Sequence, residues 1–175
     1  MTALVPGVVN GSVTAVDPAE DPGWIEIEFV VEAGNTRSLA RVATAMAGDK
    51  RGTWWMPEVG DEVLVAFQNG QPANPYVIGY LWNGGVAVPE KTQQRRVFKS
   101  RRGHTFTFDD SDDNKVEIRT EAGHTITLDD KNRKIEVKSG GTPAQSIVLD
   151  DQNQVLRLQS GGRKLEITPS TVAFT

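Results

Sequence analysis

The chain has 175 residues, of which 38% are hydrophobic, enough for at least one packed core and too many for a disordered polypeptide. It contains no cysteine, which excludes a disulfide frame and a thiolate metal site. The net charge of -4 is unevenly spread: up to Val86 there are four Lys/Arg against ten Asp/Glu, and beyond it fifteen against thirteen, so the first half is a poor surface for nucleic acid.

The N-terminal MTALVPGVVNGSV has neither the basic start nor the long apolar core of a signal peptide, and no stretch approaches a membrane span in length. Helical periodicity never lasts more than a turn or two. The stretch from Leu39 to Gly48, rich in small residues, reads as a strand running into a loop. Extended, alternating or β-branched stretches follow one another at Val8 to Val16, Trp24 to Glu32, Arg37 to Thr44, Glu62 to Gln68 and Tyr76 to Leu81. Clusters of Gly, Pro, Asn and Asp separate them, and five strands within residues 1–84 predict a small closed barrel of OB type. Within it, PEVGD from Pro57 to Asp61 is a turn in which Gly60 takes positive φ. Next, EVLVAF sets Val63, Val65 and Phe67 on one face and Leu64 and Ala66 on the other, and Gly79 marks a bulge or a close backbone approach.

Residues 85–97 read as a linker. From 98 to 175 the chain is repetitive: GHTFTFDD begins at Gly103, GHTITLDD at Gly123 and AQSIVLDD at Ala144, spacings of 20 and 21 residues. Each unit is strand, acidic turn, strand, glycine turn, the mark of an array whose units bury surface only by stacking. A period of two puts Phe106, Phe108, Val116, Ile118, Ile126, Leu128, Ile135, Val137, Ile147, Leu149, Leu156, Leu158, Leu165 and Ile167 on one face. The positions between them are mostly Thr, Glu, Lys or Arg. One such narrow sheet has nothing to pack against, whereas three identical chains about one axis, each supplying a face of a prism, bury it. The fold class expected is all-β: a barrel followed by an intertwined trimeric β-helix, with those side chains as the trimer core.

Several candidate sites reduce to structural roles. His104 and His124, the only histidines, sit between Gly and Thr at equivalent strand starts and read as corner residues, not metal ligands. Asp110, Asp112, Asn114 and Glu121 fall at positions 1, 3, 5 and 12 of a calcium loop, but Lys115 occupies the position that demands Gly, so the stretch reads as an Asp/Asn-rich turn. Arg95, Arg96, Lys99, Arg101 and Arg102 put five cations in eight residues, read as a collar facing the acidic barrel. Trp54, Trp55 and Trp82 are assigned to barrel packing or to an interface between copies. No nucleophile with its base, phosphate loop or paired catalytic carboxylates is present, and no cofactor is expected.

ARVATAMAG at 40–48, Trp54 and Trp55, MPEVGDEVLVAFQNGQPANPYVIGYLWNG at 56–84 and the GHTITLDD-type repeats together resemble the spike proteins of contractile injection systems, phage baseplate assembly protein V and the C-terminal half of VgrG. The resemblance covers nearly the whole chain. It implies an OB barrel, a homotrimeric β-helical needle, and a structural, non-enzymatic role on a separate hub protein at the end of a tail tube. It further implies assembly in the cytoplasm into a phage tail or tail-like particle and transient contact with a target membrane. Some such spikes end in an iron-binding His-x-His apex, but this chain ends TPSTVAFT with no histidine after His124. The resemblance then implies a separate PAAR-type tip protein, with Val172 and Phe174 as its seat. The competing reading is an OB module that binds glycan or oligonucleotide on a repetitive oligomeric stalk.

Overall fold

Alternation of apolar and polar side chains becomes strand throughout the computed structural model, which describes residues 4–16, 23–32 and 34–175. Three of the acids counted in the first half, Asp17, Glu20 and Asp21, lie outside the described residues. The chain divides into two units, one up to Ala87 and one from Val88. Among the described residues no helix is long and apolar enough to cross a membrane.

The first unit is a closed barrel. Its strands are β1 (Val8–Val16), β2 (Trp24–Val31) and β3 (Gly34–Val42), then a two-residue pair, β4 (Ala47–Gly48) with β5 (Arg51–Gly52), and finally β6 (Glu62–Phe67) and β7 (Pro75–Leu81). The barrel runs β1-β2-β3-β7-β6 and closes where β6 returns to β1. Only the β3–β7 contact, Arg41 opposite Tyr76, is parallel. That order, with its single parallel closure, is the Greek-key arrangement of an OB barrel. β3 begins at Gly34, three residues before the sequence suggested, because Gly34 takes a φ of 100° and turns the chain back at once.

Val13, Ile25, Ile27, Phe29, Ala40, Val63, Val65, Phe67 and Val77 fill the barrel, with the rings of Phe29 and Phe67 tilted at 5.2 Å. In β6 the odd positions are buried and the even ones half-buried, as the alternation of EVLVAF requires. The Gly79 irregularity is a bulge: Leu64 pairs with Gly79 but Val65 pairs with Val77, leaving Ile78 as the extra residue. At PEVGD, Gly60 has a φ of 95° and its N–H bonds the Val13 carbonyl at 2.9 Å, tying the turn to β1.

The second unit is one sheet: β8 (Arg95–Lys99), β9 (Thr105–Asp109), β10 (Lys115–Arg119), β11 (Thr125–Asp129), β12 (Lys134–Lys138), β13 (Gln145–Asp150), β14 (Val155–Ser160), β15 (Arg163–Ile167) and β16 (Val172–Phe174). Each strand pairs antiparallel with the next in a continuous meander. β8 starts inside the stretch read as linker. Among the described residues, every buried apolar side chain belongs to the barrel and none to this sheet.

Because Ile27 is wholly enclosed, Ile27→Ala should cost the barrel roughly 2–5 kcal/mol. All four tryptophans lie in the first unit, so urea unfolding followed by tryptophan fluorescence reads this loss directly.

Candidate functional site

The second sheet carries its apolar side chains as two ladders. In one, Phe98, Phe106, Ile118, Ile126, Val137, Ile147, Leu158, Leu165 and Phe174 stand directly opposite their neighbours from β8 to β16. The other runs Phe108, Val116, Leu128, Ile135, Leu149, Leu156, Ile167 and Val172 from β9 to β16, with Arg96 at its foot on β8. All fourteen residues expected to form a core are on this face, joined by Phe98, Val172 and Phe174. Phe106, Val116 and Leu165 are half-buried, and the other eleven expected core residues are 36% to 46% exposed. The face is concave, its first hollow lined by Ile126, Ile147 and Leu158 of one ladder and its second by Leu128, Leu149 and Ile167 of the other. At its first strands the rings cluster, Phe98 stacked on Phe106 at 6.3 Å and Phe106 tilted against Phe108 at 4.6 Å.

Two edges flank this face, and different chemistry holds each. On one edge the Asp-Asp pairs make the turns. The first Asp of a pair ends a strand and caps the turn: Asp129 accepts from the backbone and side-chain N–H of Asn132, both at 2.8 Å, and Asp150 from those of Asn153, both at 2.9 Å. Asp109 accepts from the Ser111 N–H at 3.1 Å and from Arg95 at 2.8 Å, and is 2% exposed. In two pairs the second Asp binds an arginine from two strands back, Asp110 with Arg96 and Asp151 with Arg133. Asn114, Arg133 and Gln154 end these turns with φ of 39°, 52° and 54°.

The other edge has the glycine turns. Here each histidine ties one turn to the next: the Nδ1 of His104 accepts the Glu121 N–H at 3.2 Å, and that of His124 the Gly140 N–H at 3.0 Å. Both imidazoles are hydrogen-bond acceptors within the sheet edge, and among the described residues no cluster of His, Asp and Glu could hold a metal ion. Gly140 admits no side chain, since a Cβ there would lie 1.8 Å from the Ala122 carbonyl oxygen.

Other sequence candidates separate. The calcium-like stretch closes as a short turn, with Lys115 already in β10 and Asp110 on Arg96. Of the basic cluster, Arg95 pairs with Asp109 and Glu90 and Arg96 with Asp110, all within the second unit. Trp54, Trp55 and Trp82 are exposed on the barrel, so packing into its core is not their role. Trp54 and Trp55 line a hollow with Met46 and Met56, and Trp55 and Trp82 line another with Tyr80, whose hydroxyl donates to the Trp55 carbonyl at 3.0 Å. Burial and the nearby Asp61 carboxylate push the Tyr80 phenol up.

An OB barrel followed by a repetitive sheet with an open apolar face defines a spike protein of the phage-baseplate and VgrG kind. Residues 9–82 match the type VI secretion system/phage-baseplate injector OB domain, and the barrel belongs to that family. The chain is similar to three type VI secretion system spike proteins of Pseudomonas aeruginosa. It is 29% identical to VgrG1b over 111 residues, 62% of this chain and 15% of the relative. With VgrG5 it is 33% identical over 101 residues, 53% and 13% of the two chains, and with VgrG4b 43% identical over 63 residues, 34% and 8%. The VgrG1b match is longer than either unit and therefore takes in residues of both. The chain spans only a small part of these relatives' length.

The acidic edge makes the sheet acid-sensitive. Hydrogen bonds from Ser111, Asn132 and Asn153 hold the carboxyls of Asp109, Asp129 and Asp150 below the usual range, and Arg157 does the same for Glu166. As pH falls the unfolded chain therefore takes up protons first. Stability contributed by these groups is complete above the ordinary carboxylate range of about 4 and is lost as pH drops through their lowered values. Thermal melts by circular dichroism between neutral pH and acid should show the second unit weakening below that range. Asp129→Asn with Asp150→Asn should flatten the dependence.

Proposed function

We propose that this chain is the central spike of a contractile injection apparatus and works as a homotrimer. The barrel unit engages a hub protein at the end of the tail tube, and the sheet unit forms a rigid shaft that is driven through the target envelope. The single observation that carries this reading is the pair of unbroken apolar ladders left open on β8–β16. Each strand contributes only two inward residues, so the strip is narrow. Three such strips closed around an axis cover one another, with six side chains filling each level.

Nine strands stacked at about 4.8 Å give a shaft of roughly 40 Å. The last strand leaves Val172 and Phe174 strongly exposed, 59% and 78%, which fits a seat for a PAAR-type tip protein. The role is mechanical, not enzymatic, and contact with the target membrane is transient.

Light scattering of the purified protein should give the mass of a trimer that resists SDS without heating; a monomer or a dimer overturns the reading. Ile126→Asp, which sets a carboxylate on the open face, should dissociate that trimer and leave the barrel's tryptophan fluorescence unchanged.

The exposed Trp54, Trp55 and Trp82 favour a second reading, a glycan-binding barrel on an oligomeric stalk. Saturable quenching of tryptophan fluorescence by peptidoglycan fragments would support it, and the spike reading expects none.

A further inference from the structure

The two edges of the second sheet differ in charge. Eight aspartates, from Asp109 to Asp151, stand at one edge. The cations there, Arg95, Arg96, Lys115, Lys131, Arg133 and Lys134, all pair with those same aspartates. At the opposite edge Lys99, Arg119 and Lys138 end alternate strands, in register with Thr105, Thr125 and Ser146. Arg102 and Arg163 stand beside them in the turns, and Glu121 is the only acid in these turns. Among the described residues none of Lys99, Arg102, Arg119, Lys138 or Arg163 has a carboxylate within ion-pair distance.

The contrast is sharpest where the sheet begins. Arg102 projects from the β8–β9 turn, exposed and without an ion pair. Asp112 is likewise exposed and without a cation in the β9–β10 turn on the opposite edge. Within one chain the width of the sheet separates the two. In a ring of identical sheets related by rotation about a common axis, each corner joins one edge of a sheet to the opposite edge of the next. The two turns then differ in height by one strand, about 4.8 Å, which an arginine side chain spans.

We propose that the Arg102 turn of one copy docks on the Asp112 turn of the next, so that unlike edges meet at every corner of the assembly. This rests on the homotrimer reading and adds to it the device that sets which edges meet. Apolar burial does not choose between edges, because the ladders run the full length of both. Charge does: joining like edges would set Arg102 against Arg102 and Asp112 against Asp112, whereas joining unlike edges pairs each with its opposite. Each such contact is heterologous, and a heterologous contact closes only as a ring.

The chain has no cysteine of its own, so corner geometry can be read by crosslinking. Arg102→Cys combined with Asp112→Cys, treated with a short bismaleimide, should run as a covalent trimer on a denaturing gel, while each single variant stays monomeric. Covalent dimers from a single variant would show like edges meeting and overturn the proposal. So would absence of crosslinking in a double variant that light scattering shows to be trimeric, an outcome that leaves the homotrimer intact. A monomeric parent protein would sink the homotrimer reading first. As an independent arm, Arg102→Asp and Asp112→Arg should each lower the temperature at which the trimer dissociates in SDS, and the doubly swapped chain should recover it. Equal losses that add in the double variant would overturn the proposal as well.

Discussion

In the second unit, backbone pairing and side-chain burial are decoupled, and the reading of the whole chain depends on that separation. Nine strands satisfy one another's N–H and C=O groups within one polypeptide, so no ladder inside the sheet waits for a partner. A single layer, however, offers no second surface for its apolar face, and domains are stable only when such faces are covered. Completing the burial of a partly exposed aliphatic side chain gains about 1 kcal/mol. Summed over ladders that run the length of the sheet, this is of order ten kcal/mol per chain. An exposed ion pair contributes about 0–1 kcal/mol. Burial therefore decides that copies associate, and charge decides only how they are arranged.

The edges show how the sheet holds itself flat and regular until that burial is complete. On the acidic edge each turn is closed by its own Asp, and arginines from two strands away clip successive turns together. On the glycine edge the histidines do the clipping, through an unprotonated Nδ1 facing a backbone N–H. Both devices act between elements two strands apart, the repeat distance of the sequence. The pleat and the turn therefore recur in phase, and one register error would break both the apolar ladders and the clips at once.

Much of this was legible because a period of two is a local property. The five barrel strands, the inward face of the repeat and the turn at Gly60 follow from residues within a few positions of one another. Long-range partners did not show. Nothing near Asp109 in the chain indicates that it is buried under Arg95, fourteen residues earlier, and His104 and His124 looked like idle corner residues because their partners lie sixteen or seventeen positions on. Phe98 was missed for a different reason: the cations around it made Arg95–Lys99 read as linker and collar, and its place in the ladder appears only once β8 pairs with β9. The tryptophans were misjudged from composition, since a large aromatic is usually interior, yet on a barrel this small the core is filled by β-branched residues and two phenylalanines.

Stiffness follows from the same arrangement. Strands lie across the direction in which the sheet grows, so hydrogen bonds and side-chain ladders both run along that direction, and force applied along it meets close-packed contacts at every level. A hinge would need a turn free to swing, and at the acidic edge the turns are capped by their own aspartates, while at the glycine edge a histidine pins successive turns. Gly140 shows how tight the stacking is, for the space where its side chain would stand is already taken by the Ala122 carbonyl. The same closeness that leaves the apolar face open to other copies also leaves the sheet nowhere to bend, so association and rigidity are consequences of one repeat.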